Sequence, residues 1–189
     1  GAYSQIGHGG RSLGATRAGM IRIEGHTDAT AAGAVTLRGG AALDTYAQIG
    51  HGGRGATGAT QGSIVVRSFG RVSLTGGTSD DAYTQIGHGG HENRASHGNA
   101  FDDLVVIADG GISLLGGDTN GNGGTSTTYG AYAQIGNGGY ESDGTGSSFL
   151  GDIYLNFNPL TGLAAGGGDI SLDGGNGVIG TYAQVGHGG

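Results

Sequence analysis

An eight-residue phrase recurs five times in this chain, and no other feature narrows the choice of fold so far. It reads Tyr3-Ser-Gln-Ile-Gly-His-Gly-Gly10, Tyr46-Ala-Gln-Ile-Gly-His-Gly-Gly53, Tyr83-Thr-Gln-Ile-Gly-His-Gly-Gly90, Tyr132-Ala-Gln-Ile-Gly-Asn-Gly-Gly139 and Tyr182-Ala-Gln-Val-Gly-His-Gly-Gly189, at intervals of 43, 37, 49 and 50 residues. A fixed phrase returning at intervals of this size marks a stacked array rather than a globular domain with one irregular core. Residues 1–189 therefore read as one repetitive segment, with repeats starting near Tyr3, Tyr46, Tyr83, Tyr132 and Tyr182.

Two further phrases sit inside every interval. With the recurring phrase called A, phrase B is Met20-Ile-Arg-Ile23, Ile64-Val-Val-Arg67, Leu104-Val-Val-Ile107 and Ile153-Tyr-Leu-Asn-Phe157. Phrase C is Val35-Thr-Leu37, Val72-Ser-Leu74, Ile112-Ser-Leu114 and Ile170-Ser-Leu172, always apolar, hydroxyl, apolar. Such alternation is the signature of a half-buried strand, and no run is long enough for an amphipathic helix. Three strands per repeat and one repeat per coil predict an all-β parallel β-helix, a β-solenoid of about four coils stacked ~4.8 Å apart. The variable intervals fall in loops, short at residues 54–62 and long at 116–131. A β-propeller is the rival at this period, but its blades need four strands and give identical residues no reason to stack.

Stacked repeats make like residues neighbours. Phrase A predicts a Tyr ladder (Tyr3, Tyr46, Tyr83, Tyr132, Tyr182), a Gln ladder (Gln5, Gln48, Gln85, Gln134, Gln184) and a third ladder of His8, His51, His88, Asn137 and His187. Aromatic rings stack in offset fashion, and stacked amides can hydrogen-bond from coil to coil. Period two places Ile6 and its equivalents opposite Gln5, which predicts an inward Ile set. The Gly-Gly pairs are expected to turn the chain at positive φ. The His row invites a metal-stripe reading, but Asn137 imitates one imidazole nitrogen as a hydrogen-bond partner and is a poor transition-metal ligand. A structural ladder is the expectation.

The chain has 48 Gly, one Pro, no Cys and no Lys. Collagen is excluded because Gly does not fall at every third position, and disulfides cannot staple the fold. All eight Arg lie between Arg11 and Arg94, set against six acids in residues 1–94; residues 95–189 carry nine acids and no Arg. No clustered basic face suggests nucleic acid, and no apolar run approaches the ~20 residues of a membrane span. The chain opens on Gly, and both ends fall on phrase A, so it reads as part of a longer repetitive chain or of an end-to-end assembly.

Three motifs suggest chemistry. Asp118-Thr-Asn120-Gly-Asn122-Gly123 matches the first half of a calcium loop, but Tyr129 stands where the closing Glu belongs. It supports no more than a weak Ca²⁺ site at Asp118, Asn120 and Asn122. Asp80-Asp81 with Gly87-His88-Gly89 resembles phrases of the polygalacturonases, β-helix hydrolases; here Gly-His-Gly occurs four times, as a repeat element, and the family's Asn-Thr-Asp and Arg-Ile-Lys phrases are missing. Asp44, Asp80-Asp81 and Asp102-Asp103 are expected to cap turns or face solvent.

The Tyr-Ala-Gln-Ile-Gly-His-Gly-Gly phrase, alternating with strands such as Gly168-Asp-Ile-Ser-Leu172, resembles giant bacterial exoproteins of the filamentous-haemagglutinin type and related autotransporter passengers. That resemblance covers essentially the whole chain. It implies a right-handed β-helix exported to the bacterial cell surface, serving adhesion, matrix or filament formation. The expected function is a non-catalytic extracellular shaft whose partners are further coils, copies of itself, or host and matrix glycans. The alternative is a carbohydrate-binding or carbohydrate-cleaving β-helix.

Overall fold

Runs of three to five residues closed by glycine are too short to nucleate helices, and their β-branched content favours extended backbone. The computed structural model describes residues 1–25, 33–117, 129–142, 148–177 and 179–188. Among these residues there is no helix; the protein is all-β, and its sheets are predominantly parallel.

Three sheets carry the architecture. Sheet A has five strands, Tyr3–Ile6, Tyr46–Ile49, Thr84–Ile86, Ala133–Ile135 and Ala183–Val185. Sheet B has four, Ile21–Glu24, Ile64–Ser68, Leu104–Ala108 and Ile153–Leu155. Sheet C also has four, Val35–Arg38, Val72–Thr75, Ile112–Leu115 and Ile170–Asp173. In each sheet the spatial order follows the chain order, so the chain visits A, B and C in turn and returns to A. Pairing is in register and like meets like, with Gln48 opposite Gln85, Val66 opposite Val106 and Leu74 opposite Leu114.

The inward side chains of all three sheets meet in one apolar cluster. Ile49, Ile86 and Ile135 come from sheet A, Val66, Leu104 and Val106 from sheet B, and Val72, Leu74, Ile112 and Leu114 from sheet C. Tyr46, Tyr83 and Tyr132 form a second buried cluster, joined by the partly buried Tyr140 and Tyr182. Tyr and Gln share one face of sheet A, with Ile on the other. Gln48, Gln85 and Gln134 are nonetheless as buried as the Ile row.

Three features depart from the sequence reading. A fourth, shorter row runs between A and B: Arg17–Ala18 pairs in parallel with Thr60–Gln61, and bridges continue it through His97 and Phe149. Phrase B begins one residue later than read, because Ile21 rather than Met20 lies opposite Ile64, and Met20 is exposed. The last B phrase stops at Leu155. Asn156 takes a left-handed φ of 49°, and Phe157–Asn158 then pairs antiparallel with Leu163–Ala164.

Candidate functional site

The phrase A side chains work through the backbone of the neighbouring repeat. Gln48 Nε2 donates to the carbonyls of Gly87 and Gly89, 2.9 and 2.8 Å away. Gln5 does the same to Gly50 and Gly52, Gln85 to Gly136 and Gly138, and Gln134 to Gly186 and Gly188. The amides therefore tie side chain to backbone across repeats, where amide-to-amide bonding was expected. Gln184 lies in register opposite Gln134. Glycine makes this reach feasible: a Cβ on Gly87, whose φ is +149°, would lie 1.9 Å from the carbonyl oxygen of Gly136.

The Tyr rings stack nearly parallel with centroids 5.0, 4.8, 4.8 and 4.9 Å apart from Tyr3 to Tyr182. Their hydroxyls sit over the second glycine of the Gly-Gly pair; a Cβ on Gly90 would lie 2.6 Å from the Tyr83 hydroxyl. Burial, with repulsion from neighbouring phenolates, pushes the Tyr83 and Tyr132 hydroxyls well up, so the row stays neutral.

In the third row the His51, His88 and His187 rings are each held at both nitrogens. The backbone N–H of His8 donates to His51 Nδ1, and that of His51 donates to His88 Nδ1. At the far side His51 Nε2 lies 2.9 Å from the Gly19 carbonyl and His88 Nε2 2.6 Å from that of Gly62. An N–H donor at Nδ1 and a carbonyl at Nε2 select the neutral Nε2–H tautomer. Asn137 occupies the same slot and is also bonded at both ends: Oδ1 accepts from the His88 N–H, and Nδ2 donates to the Leu150 carbonyl, in its own repeat rather than the preceding one. His187 completes the row, accepting from Asn137 N–H and facing the Gly151 carbonyl. Burial lowers the His51 pKa and takes His88 to about 4, against the pull of the carbonyl bonds. With both nitrogens engaged, His51, His88 and His187 offer no lone pair to a metal.

A second group lies where phrase A is entered and left. Arg11, Arg54, His91 and Tyr140 each follow a Gly-Gly pair, while Asp44 and Asp81 precede the Tyr by two residues. Asp44 takes Arg11 at 2.7 Å and Arg54 at 3.0 Å; Arg54 also reaches Asp81 at 3.2 Å and Glu92 at 3.1 Å. Asp81 lies 3.4 Å from His91 Nδ1, and Tyr140 stacks on the His91 ring. Burial pushes the Asp81 carboxyl up to about 6, opposed by Arg54 and assisted by Asp44 and Glu92. Burial also takes His91 down to about 4, against the pull of Glu92. Asp44 and Asp81 are thus ion-paired and largely buried, not solvent-facing caps. Asp102 does cap its own turn, accepting from Asn99 N–H as well as from Gly62 N–H, whereas Asp80 accepts from the distant Tyr129 N–H. Sequence reasoning passed over Arg54, His91, Glu92 and Glu141; the signal available was their shared position after each Gly-Gly.

No protein-family model matches the chain, and no curated protein and no solved structure matches it. The functional reading therefore rests on geometry. The polygalacturonase-like constellation is not assembled: Asp81 belongs to the Arg54 network, whereas His88 is stapled to backbone on both sides. The calcium-loop residues Asp118, Asn120 and Asn122 lie outside the described residues. A groove of about 210 Å³ crosses the outer face of sheet B under the hairpin, lined by Met20, Val65, Val105, Ile107, Pro159 and Leu160 together with Arg22, Glu24, Arg67 and Asp103. It is smaller than a typical ligand pocket and has no aromatic residue among its lining.

Proposed function

We propose that the chain is the non-catalytic shaft of an extracellular or cell-surface adhesin or filament. In this reading the three sheets are the sides of a right-handed parallel β-solenoid of about four coils, with the short fourth row rounding the corner between A and B. The observation that carries it is the in-register pairing of identical residues in chain order, Tyr on Tyr, Gln on Gln and Leu on Leu, in all three sheets. A repeat whose Gln and His side chains bond to the backbone of the neighbouring repeat is suited to length and stiffness rather than to turnover.

The outer faces of the stack supply the partner. Tyr3 and Ile6 on the first A strand, and Ile170 and Leu172 on the last C strand, are about half exposed although their counterparts inside the stack are buried. Such edges recruit further strands, so these faces engage more coils of the same kind, in the same chain or in another copy. Sedimentation of the isolated segment at micromolar concentration tests this. Elongated, concentration-dependent species are expected, and a compact monomer with no tendency to elongate would refute the shaft.

A further inference from the structure

We infer that His91, Glu92 and Glu141 form a binding site for a divalent transition metal ion of the Zn²⁺ class, one that clamps two successive repeats. The His91 imidazole, the Glu92 carboxylate and the Glu141 carboxylate each offer a ligand atom, all within 4.8 Å of one another. His91 and Glu92 belong to one repeat and Glu141 to the next, and the Glu92 N–H donates to the Tyr140 carbonyl between them.

The first independent observation is the ring itself. The His91 side chain is only 2% exposed, yet its Nε2 has no hydrogen-bond partner and lies 4.0 Å from Glu141 Oε2. An orphaned buried imidazole nitrogen costs stability unless something occupies it. The second observation is a matching orphan nearby. Arg54 Nε lies 3.2 Å from His91 Nδ1 and 3.0 Å from Asp44 Oδ1. When it donates to His91, Asp44 Oδ1 is left without a donor, and the ring proton is forced onto Nε2, where nothing accepts it. The other arrangement satisfies both. Arg54 Nε–H donates to Asp44 Oδ1, the ring carries its proton on Nδ1 and donates to Asp81 Oδ1 at 3.4 Å, and the Nε2 lone pair faces Glu92 and Glu141. Carboxylate, imidazole, metal is the usual order in metal sites, where the second carboxylate fixes the tautomer.

Charge points the same way. Glu92 and Glu141 occupy equivalent positions in adjacent repeats, and stacked like charges repel. Asp44, Asp81, Glu92 and Glu141 face the cations Arg11 and Arg54, leaving two formal negative charges, which a divalent cation neutralises. One imidazole with two carboxylates selects Zn²⁺ and its first-row relatives over Ca²⁺ and Mg²⁺, which prefer all-oxygen shells. Ligand atoms around one Zn²⁺ lie roughly 3–3.5 Å apart, so the two Glu side chains, 42% and 55% exposed, must rotate inward while His91 stays fixed.

The test uses untagged protein, Zn²⁺ alone and a non-chelating buffer. Calorimetry is expected to show one saturable ion per chain, with a raised thermal midpoint that equal Mg²⁺ or Ca²⁺ does not reproduce. Nitrogen NMR of the histidine rings is expected to move His91 Nε2 on Zn²⁺ addition and to leave His51 and His88 in place. Glu141→Gln, at an exposed position, should weaken binding about tenfold or more, and Asp81→Asn by a similar factor through the lost orienting bond. Absence of saturable binding at millimolar Zn²⁺ would overturn the site. So would binding that Glu141→Gln leaves unchanged, or ring shifts at His8 or His187 in place of His91. None of these readouts depends on whether the chain elongates, so the site and the shaft can fail separately.

Discussion

Strand Thr84–Ile86 of sheet A is buried at every residue, whereas Ile112–Leu115 of sheet C alternates buried and half-buried. Both repeat once per interval and both pair in register, but of these two sheets only A is covered on two sides. Its Ile face packs into the common core, and its Tyr–Gln face packs against the Gly-rich segment that follows. On the outside of sheet C there is little beyond a row of hydroxyls, Ser113 and Ser171 lying 3.2 Å apart. The difference explains why phrase A is nearly invariant across five copies while phrase C keeps only a pattern of polarity. Packing on two faces dictates residue identity, and packing on one dictates hydrophobicity.

The sharpest way to break this comparison uses glycine. Gly87→Ala places a methyl group against the Gly136 carbonyl at a φ only glycine adopts readily; a loss of about 4 kcal/mol or more is expected, measured by denaturant unfolding. Gly174→Ala, just after the outermost C strand, meets no atom within 4 Å, unlike its counterparts Gly76 and Gly116 inside the stack, and should stay within about 0.5 kcal/mol. Equal effects would mean that contact with the neighbouring repeat is not what demands glycine. Next in size, Ile86→Ala should cost about 3–4 kcal/mol and Leu172→Ala, half exposed at the outer C strand, about 1 kcal/mol or less by the same measurement.

Acid provides a third contrast, because phrase A carries a His in four of its five copies and phrases B and C carry none. A His whose folded pKa is lowered binds fewer protons folded than unfolded. Stability is then full above pH ~6.5 and declines as pH falls toward the folded value. For His88, at about 4, the loss between those limits is about 3 kcal/mol. His51, also lowered, and His97, at about 3, add to it in the same direction. Thermal melts from pH 7.5 to 4.5 read this, and a flat midpoint would contradict the row's locked neutral state. The smallest effect expected is His88→Asn. It can be bonded at both ends as Asn137 is and should cost about 1 kcal/mol or less at pH 7.5 while reducing the acid loss.

What could be read in the sequence was whatever repeats by identity. Tyr, Gln and His at fixed offsets placed three rows on adjacent strands, and the substitution by Asn137 gave the bonding role of the ring. A row without repeated residue types was invisible: Arg17, Thr60, His97 and Phe149 differ in type, yet they align, with Thr60 Oγ1 2.6 Å from His97 Nδ1 and Phe149 stacked on the His97 ring. The phrase B boundary slipped because Met20 and Ile21 are both apolar, and only register separates them. The Gln bonds were misassigned because an axial reach past the neighbouring amide to a glycine carbonyl depends on side-chain pitch, which periodicity does not encode. The positive-φ expectation holds for both glycines of the first three phrase A pairs and for Gly138 and Gly188, but not for Gly139. At Gly39 and Gly76 the reason is close approach instead, since a Cβ would lie 2.4 and 2.6 Å from the next repeat's Gly77 and Gly117 nitrogens.

In the His–Asn row, each backbone N–H donates forward to the next repeat's side chain, while the Nε2 of His51, His88 and His187 reaches back to a carbonyl of the preceding repeat. Each of these rings is thus a strut gripped from both sides, and a single proton decides whether it holds. Protonation at Nδ1 turns the atom that meets the incoming N–H into a second donor, so one charge opens the seam on one side of the ring while the other side stays closed.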